Sequence, residues 1–173
     1  MTDVLLIIAE QNFRDEELLN TKAELEKAGF STTIASKSMG IKKGMLGATA
    51  NAELSLSEVK VDDYRAVVFI GGQGSSQYFN DAESLNIAKS AVLQSKIVAA
   101  ICIAPIILAN SGMLKGKNAT VWDSGDGTFI SKLEAKEANY INQAVVRDGN
   151  IITANGPAAA KQFGKEIVSA LKQ

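Results

Sequence analysis

Cys102 is the only cysteine in the 173-residue chain, and its neighbours place it where a thiol can do chemistry. The apolar run Ile97–Ile101 predicts a buried strand that ends at the cysteine. Pro105 follows closely and suits the first position of a helix, where its missing N–H would have had no partner. Ile106 to Ser111 can continue that helix, and Gly112 can close it. Cys102 is thus expected at the tip of a sharp strand-to-helix turn, faced by the N–H groups of a helix start. Such a place favours a thiolate, and a serine at a turn of this kind is the nucleophile elbow of other α/β enzymes. A lone cysteine in an apolar run also serves as a small buried hydrophobe. On these residues alone both roles stay open.

Two further clusters could share a site with it. Gly71-Gly72-Gln73-Gly74 closes the apolar run Arg65–Ile70. It can be a simple turn, a degenerate dinucleotide loop lacking its third glycine, or an oxyanion site whose amides approach a reacting centre. Asp15-Glu16-Glu17 has the pattern of a helix start, where acids favour the dipole. One of the three can instead turn inward, hold a proton beside the sulfur and serve as hydrogen-bond donor or base. Asp123 and Asp126, spaced by glycine, match no calcium loop and are expected to form a turn.

Composition removes several classes of function. The chain has no histidine, so no Cys–His dyad can form within it or between identical copies. Histidine-based zinc sites go with it, and one cysteine cannot build a zinc cluster, so no metal or other cofactor is expected. A net charge of −1 gives no electrostatic case for nucleic acid or an anionic membrane. No apolar run approaches the ~20 residues of a bilayer span. The start, Met1 to Ala9, lacks a basic segment and is expected to be a strand rather than a signal peptide. A single cysteine forms no internal disulfide, and a reducing, cytoplasmic setting is the expectation.

The elements that must position these residues follow in order. Val4–Ala9 predicts a strand buried on both faces. A helix is expected from the Phe13–Leu19 segment to about Ala28, turning Leu18 and Ala23, flanked by Leu19 and Leu25, to the sheet. Ser31–Ser36 gives a second strand, and glycines between Met39 and Leu54 suggest a hairpin off the main sheet. Ser55–Tyr64 is expected to be a loop and Arg65–Ile70 the third core strand. Asn80 with Glu83 resembles a capping box for a helix reaching Gln94. Beyond the cysteine turn come a strand at Ala119–Trp122 and a helix from Phe129 to about Ala138. Asp148-Gly149 predicts a hairpin between Val145–Arg147 and Ile151–Thr153. An amphipathic helix, Ala158–Leu171, closes the chain. Alternating strands and helices imply one α/β domain over residues 1–173, with a mainly parallel sheet between helical layers. Ligands of such sheets bind beyond the carboxyl ends of the strands, where all three clusters fall.

In this order the residues resemble the DJ-1/PfpI (ThiJ) superfamily. Phe13-Arg14-Asp15-Glu16-Glu17-Leu18 resembles its acidic segment, and Phe69-Ile70-Gly71-Gly72 its strand ending in a double glycine. Ala99–Pro105 resembles its nucleophile elbow, and Val146–Pro157 its C-terminal hairpin and final turn. The resemblance spans essentially the whole chain. It implies a flavodoxin-like three-layer α/β sandwich with a nucleophile-elbow cysteine, assembled as a homodimer. It puts Cys102 in the place of the reactive cysteine and Glu17 in that of the glutamate which hydrogen-bonds the sulfur. Backbone amides of Gly71, Gly72 and Ile103 would surround the reacting centre, with Gln73 and Trp122 at the pocket.

The departures narrow the function. Ile103 follows the cysteine where protease-like members carry a histidine, and Trp122 stands near where another branch has one. Peptidase activity therefore loses its base. What the resemblance leaves is glyoxalase- or deglycase-like action on a small 2-oxoaldehyde such as methylglyoxal, with Glu17 moving the proton. The alternative is a redox sensor or chaperone-like protein whose Cys102 is oxidised by peroxide to a sulfenic or sulfinic acid.

Overall fold

The computed structural model describes residues 2–173. In chain order its elements are β1 (Val4–Ile7), β2 (Gln11–Phe13), α1 (Asp15–Lys27), β3 (Thr32–Ser36), β4 (Gly40–Gly44), β5 (Thr49–Ala52) and β6 (Leu54–Ser55). There follow β7 (Ala66–Phe69), α2 (Ala82–Leu93), β8 (Ile97–Ile101), α3 (Pro105–Asn110), β9 (Asn118–Ala119), α4 (Thr128–Glu134) and β10 (Asn139–Tyr140). The chain ends with β11 (Val145–Asp148), β12 (Ile151–Ala154) and α5 (Ala160–Leu171).

Seven strands form the main sheet in the order β11-β12-β8-β7-β1-β3-β6. Every pairing in it is parallel except β11 with β12. The core order β3-β1-β7-β8-β12 is the 2-1-3-4-5 order of flavodoxin-like sheets, whose direction of winding reverses beside β1. Alternation along the strands divides the core between two helical layers. Val4 and Leu6 pack toward α1 and α5 with Leu18, Leu25, Phe163 and Ile167. Leu5 and Ile7 pack the other way, toward Ile87 and Ala91 of α2, the apolar run of α3, and Leu133 of α4. Each such side chain, once fully buried, contributes about 1.5–3 kcal/mol.

The registers bring the functional ends together. Ile7 lies opposite Phe69, and Phe69 opposite Ala100. The segments just beyond, 8–17, 70–73 and 101–103, therefore leave the sheet side by side. The β4–β5 hairpin pairs with β2 in a separate three-stranded sheet, which carries the 44–48 turn to the same end.

Several local expectations are corrected. In α1 the buried positions after Asp15 are Glu17, Leu18, Thr21 and Leu25, at helical spacing, whereas Leu19 and Ala23 are exposed. A threonine and a carboxylate thus occupy the inner stripe that apolar residues were expected to fill. The cap of α2 is Asp81, not Asn80; its side chain accepts from the Ser84 N–H at 3.0 Å. Glu83 does not close the box but pairs with Lys37 at 3.1 Å. The 119–122 segment is no further strand of the main sheet, because β12 already occupies the free edge of β8. Only Asn118–Ala119 pairs, with β10. Helix α4 ends at Glu134, and the short β2 was absent from the sequence expectation. Among the described residues no helix is long and apolar enough to cross a membrane.

Candidate functional site

The site grows from the backbone at Cys102. Its φ is +65°, in the left-handed region that a residue with a side chain enters at a cost of about 1–3 kcal/mol. The turn is held from both sides. The Cys102 N–H donates to the Ala154 carbonyl at 2.9 Å, and the Cys102 carbonyl accepts from the Trp122 N–H at 2.8 Å. Pro105 stands at the first turn of α3 and the Ala104 N–H donates to the Ile101 carbonyl, which tightens the strand-to-helix corner.

Glu17 comes from the first turn of α1 and is wholly buried. Its Oε2 accepts from the Gly71 N–H at 2.9 Å. Its other oxygen, Oε1, has no hydrogen-bond partner, and the Cys102 thiol lies beside the carboxyl. The backbone amides of Gly72 and Ile103 lie close enough to the sulfur to favour its charged form. The three amides expected around the reacting centre thus divide. Gly72 and Ile103 serve the sulfur, while the Gly71 amide is taken by Glu17 and is not free for an oxyanion.

Both glycines are needed for these approaches. A β-carbon on Gly71 would strike the Ile101 carbonyl, Cys102 Cβ and Glu17 Oε2. Gly72 has φ +101°, and a β-carbon there would strike the backbone of Asn12 to Arg14. The Arg14 N–H donates to the Gly71 carbonyl at 3.0 Å, so the β7 end and the α1 start are tied together.

Electrostatics at this pair are set first by burial. Burial raises the Glu17 pKa to about 8, against the neighbouring thiol, the Gly71 amide and the Arg14 charge, which all lower it. Burial likewise pushes the Cys102 thiol up to about 12; an ionised Glu17 adds to the rise, and the Gly72 and Ile103 amides oppose it. The pair therefore keeps both protons at neutral pH, and Glu17 gives up the first near pH 8. This corrects the expectation of a thiolate held ready by the helix start. Helix α3 is only six residues long, and its amides do not outweigh the desolvation of the sulfur.

Above the pair lies a cleft of about 330 Å³ lined by Arg14, Glu17, Met45, Gly72, Gln73, Cys102, Ile103, Trp122, Phe129 and Pro157. Trp122 and Phe129 meet edge to face, with ring centroids 5.7 Å apart. The loop between them is organised by Asp123. Its carboxylate accepts from the N–H groups of Gly125, Gly127 and Phe129 at 2.8–3.0 Å. Asp123 thereby caps α4, and among the described residues no acidic cluster is arranged to hold a metal.

This chain matches the DJ-1/PfpI family model over residues 2–170. It belongs to the DJ-1/PfpI family. A protein of Methanocaldococcus jannaschii named as uncharacterised is 39% identical, the match covering 98% of this chain and 82% of that one. A protein of Pyrococcus furiosus named as a deglycase is 29% identical, over 97% of this chain and 99% of its own length. Among solved structures, a ThiJ/PfpI domain protein from Brachyspira murdochii superposes with a TM-score of 0.93 at 36% identity, covering 98% of this chain and 96% of that one. Drosophila melanogaster DJ-1beta does so at 0.87 and 28%, covering 99% and 91%.

Within this DJ-1/PfpI chain, every site residue singled out from the sequence lies at the one cleft or directly beneath it. Arg14, Met45, Phe129 and Pro157 line it as well and were not singled out. Arg14 had a signal: it sits inside the acidic segment, where a lone cation is easily taken for a solvated helix start. Met45 had none. It reaches the cleft because its N–H donates to the Phe13 carbonyl and because Asp15 accepts from the N–H groups of Leu46 and Ala48.

Proposed function

We propose that this DJ-1/PfpI chain is a cysteine-dependent, deglycase- or glyoxalase-like enzyme acting on compact 2-oxoaldehydes. The observation that carries it is the Cys102–Glu17 pair, buried together at the floor of an apolar cleft. The deglycase names of the Pyrococcus relatives support the same class. Cys102 sulfur adds to the aldehyde carbon, the carbonyl π bond breaks, and Glu17 relays the thiol proton to the oxygen. The hemithioacetal that results has one acidic C–H. Glu17, in the carboxylate form it takes near pH 8, removes that proton and returns it to the neighbouring carbon, through an enediol, to give a 2-hydroxy thioester. Water cleaves the thioester and frees the thiol. The Gly72 and Ile103 amides are the donors at hand for developing negative charge. No histidine is needed at any step. Homodimeric assembly belongs to the same proposal, and sedimentation velocity tests it.

A redox sensor would need a thiolate at neutral pH, because the thiolate is the form that peroxide attacks. The enzyme reading needs the thiolate as well, and it is preferred because Glu17 beside the sulfur can pass protons to a carbonyl substrate, a role that peroxide attack does not require. The test of the enzyme is methylglyoxal consumption with lactate detection, using protein free of any histidine tag. Lactate formed by the wild type and lost in Cys102→Ser is the expected result. No lactate from protein carrying an intact thiol would overturn it.

A further inference from the structure

We infer that Arg14 forms a subsite for an anionic substituent, a carboxylate foremost, on the carbonyl compound presented to Cys102. This deepens the proposed attack of Cys102 on an aldehyde by naming the substrate class, short aldehydes that carry a carboxylate.

The cleft makes an unusual setting for this side chain. Met45, Ile103, Trp122, Phe129 and Pro157 give it apolar walls, and Arg14 is the one cationic residue lining it. The guanidinium is fixed from one side only. Its Nε donates to Glu16 Oε2 at 2.8 Å and its Nη2 to Glu16 Oε1 at 3.1 Å. That uses one edge of the planar fork. Among the described residues the Nη1 edge has no partner, and the Arg14 side chain remains 29% exposed. An arginine immobilised along one edge and open along the other matches a planar carboxylate with two parallel hydrogen bonds.

The neighbouring charges agree with this assignment. Glu17, the carboxyl on the cleft floor, keeps its proton at neutral pH and does not repel an incoming anion. Arg14 lies near enough to Cys102 and Glu17 for charge on either to stabilise the guanidinium, though its Glu16 hydrogen bonds do so most. Arg14 and Cys102 line the same cleft, so an anion held on Arg14 shares it with the sulfur. Glu16 cancels part of the charge, so the subsite discriminates between substrates more than it binds tightly.

The test compares alkylation of Cys102 by iodoacetate and by iodoacetamide, which differ in the carboxylate. Both react with the same thiolate, so the ratio of their rates is independent of how far Cys102 is ionised. Arg14→Gln is expected to lower the iodoacetate-to-iodoacetamide ratio about tenfold, the scale of one partly exposed charge-assisted contact. Arg14→Lys, which keeps the charge without the fork, should fall between. Glu16→Gln, which frees the whole guanidinium, should raise the ratio. Ratios within twofold of wild type in both Arg14→Gln and Glu16→Gln would overturn the inference, and so would failure of either reagent to reach Cys102. The outcome is separate from turnover. An Arg14-dependent ratio without lactate formation keeps the subsite and removes the proposed reaction; lactate formation with a flat ratio does the reverse.

Discussion

Glu10 and Glu17 flank the short strand β2, and the fold treats the two carboxyl groups in opposite ways. Burial pushes the Glu10 pKa upward, yet its hydrogen bonds to Lys42 and Ser38 win and hold it below the usual value. Lys42 Nζ donates to it at 2.7 Å, and the Ser38 hydroxyl donates at 3.0 Å. Nearby, Tyr78 Oη donates to the Ile8 carbonyl and accepts from the Lys37 N–H, so the cluster beside β1 and β3 is well satisfied. Glu17 has one backbone N–H, an oxygen without a hydrogen-bond partner, and a thiol beside it. Its pKa therefore follows burial upward. Residue type did not decide between these outcomes; the supply of donors did. The well-supplied carboxylate braces the fold. The poorly supplied one is left able to gain and lose a proton near pH 8, which is what an acid–base group requires.

This contrast can be broken by substitution. The largest effect is expected at Glu17. Its folded pKa lies above the unfolded value, so the folded state binds more protons and stability falls as pH rises from about 4.5 to about 8. The slope from this one group is about 1.4 kcal/mol per pH unit. Glu17→Gln, which mimics the neutral form, should flatten it, and urea unfolding at pH 5, 6, 7 and 8 reads the difference directly. Parallel curves for the two proteins would mean that Glu17 is charged in the folded state.

A smaller effect with the opposite sign is expected at the other carboxylate. Glu10 is depressed in the folded state, so its contribution is present above its unfolded pKa and is lost as pH falls. Lys42→Met should cost about 2 kcal/mol at pH 7, below the buried-pair range because the Glu10 side chain stays in reach of water. The loss should shrink as pH falls through the lowered Glu10 pKa. A loss that stays equal from pH 7 down through that pKa would show that Lys42 acts through packing rather than charge.

Much of this arrangement was legible in the sequence because local rules carry it. The apolar run before Cys102, Pro105 after it and the glycine pair after Phe69 each specify a backbone shape on their own. They placed the elbow and two of its neighbours correctly. The division of labour among the amides was not legible. Whether the Gly71 N–H meets sulfur or carboxylate depends on how far α1 sinks toward the sheet, which is a matter of packing. The same packing turned Thr21 inward where Ala23 was expected. The Glu10–Lys42 pair was hidden for a different reason: its members come from the loop after β1 and from β4, and share no periodic pattern. Met45 reaches the cleft through a turn anchored by Asp15, a contact between residues far apart in the chain.

The measurement that bears most directly on the central claim, a Cys102–Glu17 pair whose burial keeps both protons in place at neutral pH, is the pH profile of Cys102 alkylation by iodoacetamide. It would be followed by mass spectrometry in the wild type and in Glu17→Gln. The account predicts a wild-type midpoint well above the ordinary thiol value, because burial and the neighbouring Glu17 both push the Cys102 thiol up. It predicts a lower midpoint in Glu17→Gln, because the substitution removes the carboxylate charge that adds to the rise. A wild-type midpoint well below the ordinary thiol value of about 8.5 and unchanged by Glu17→Gln would contradict it, since the sulfur would then be ionised by its amides alone.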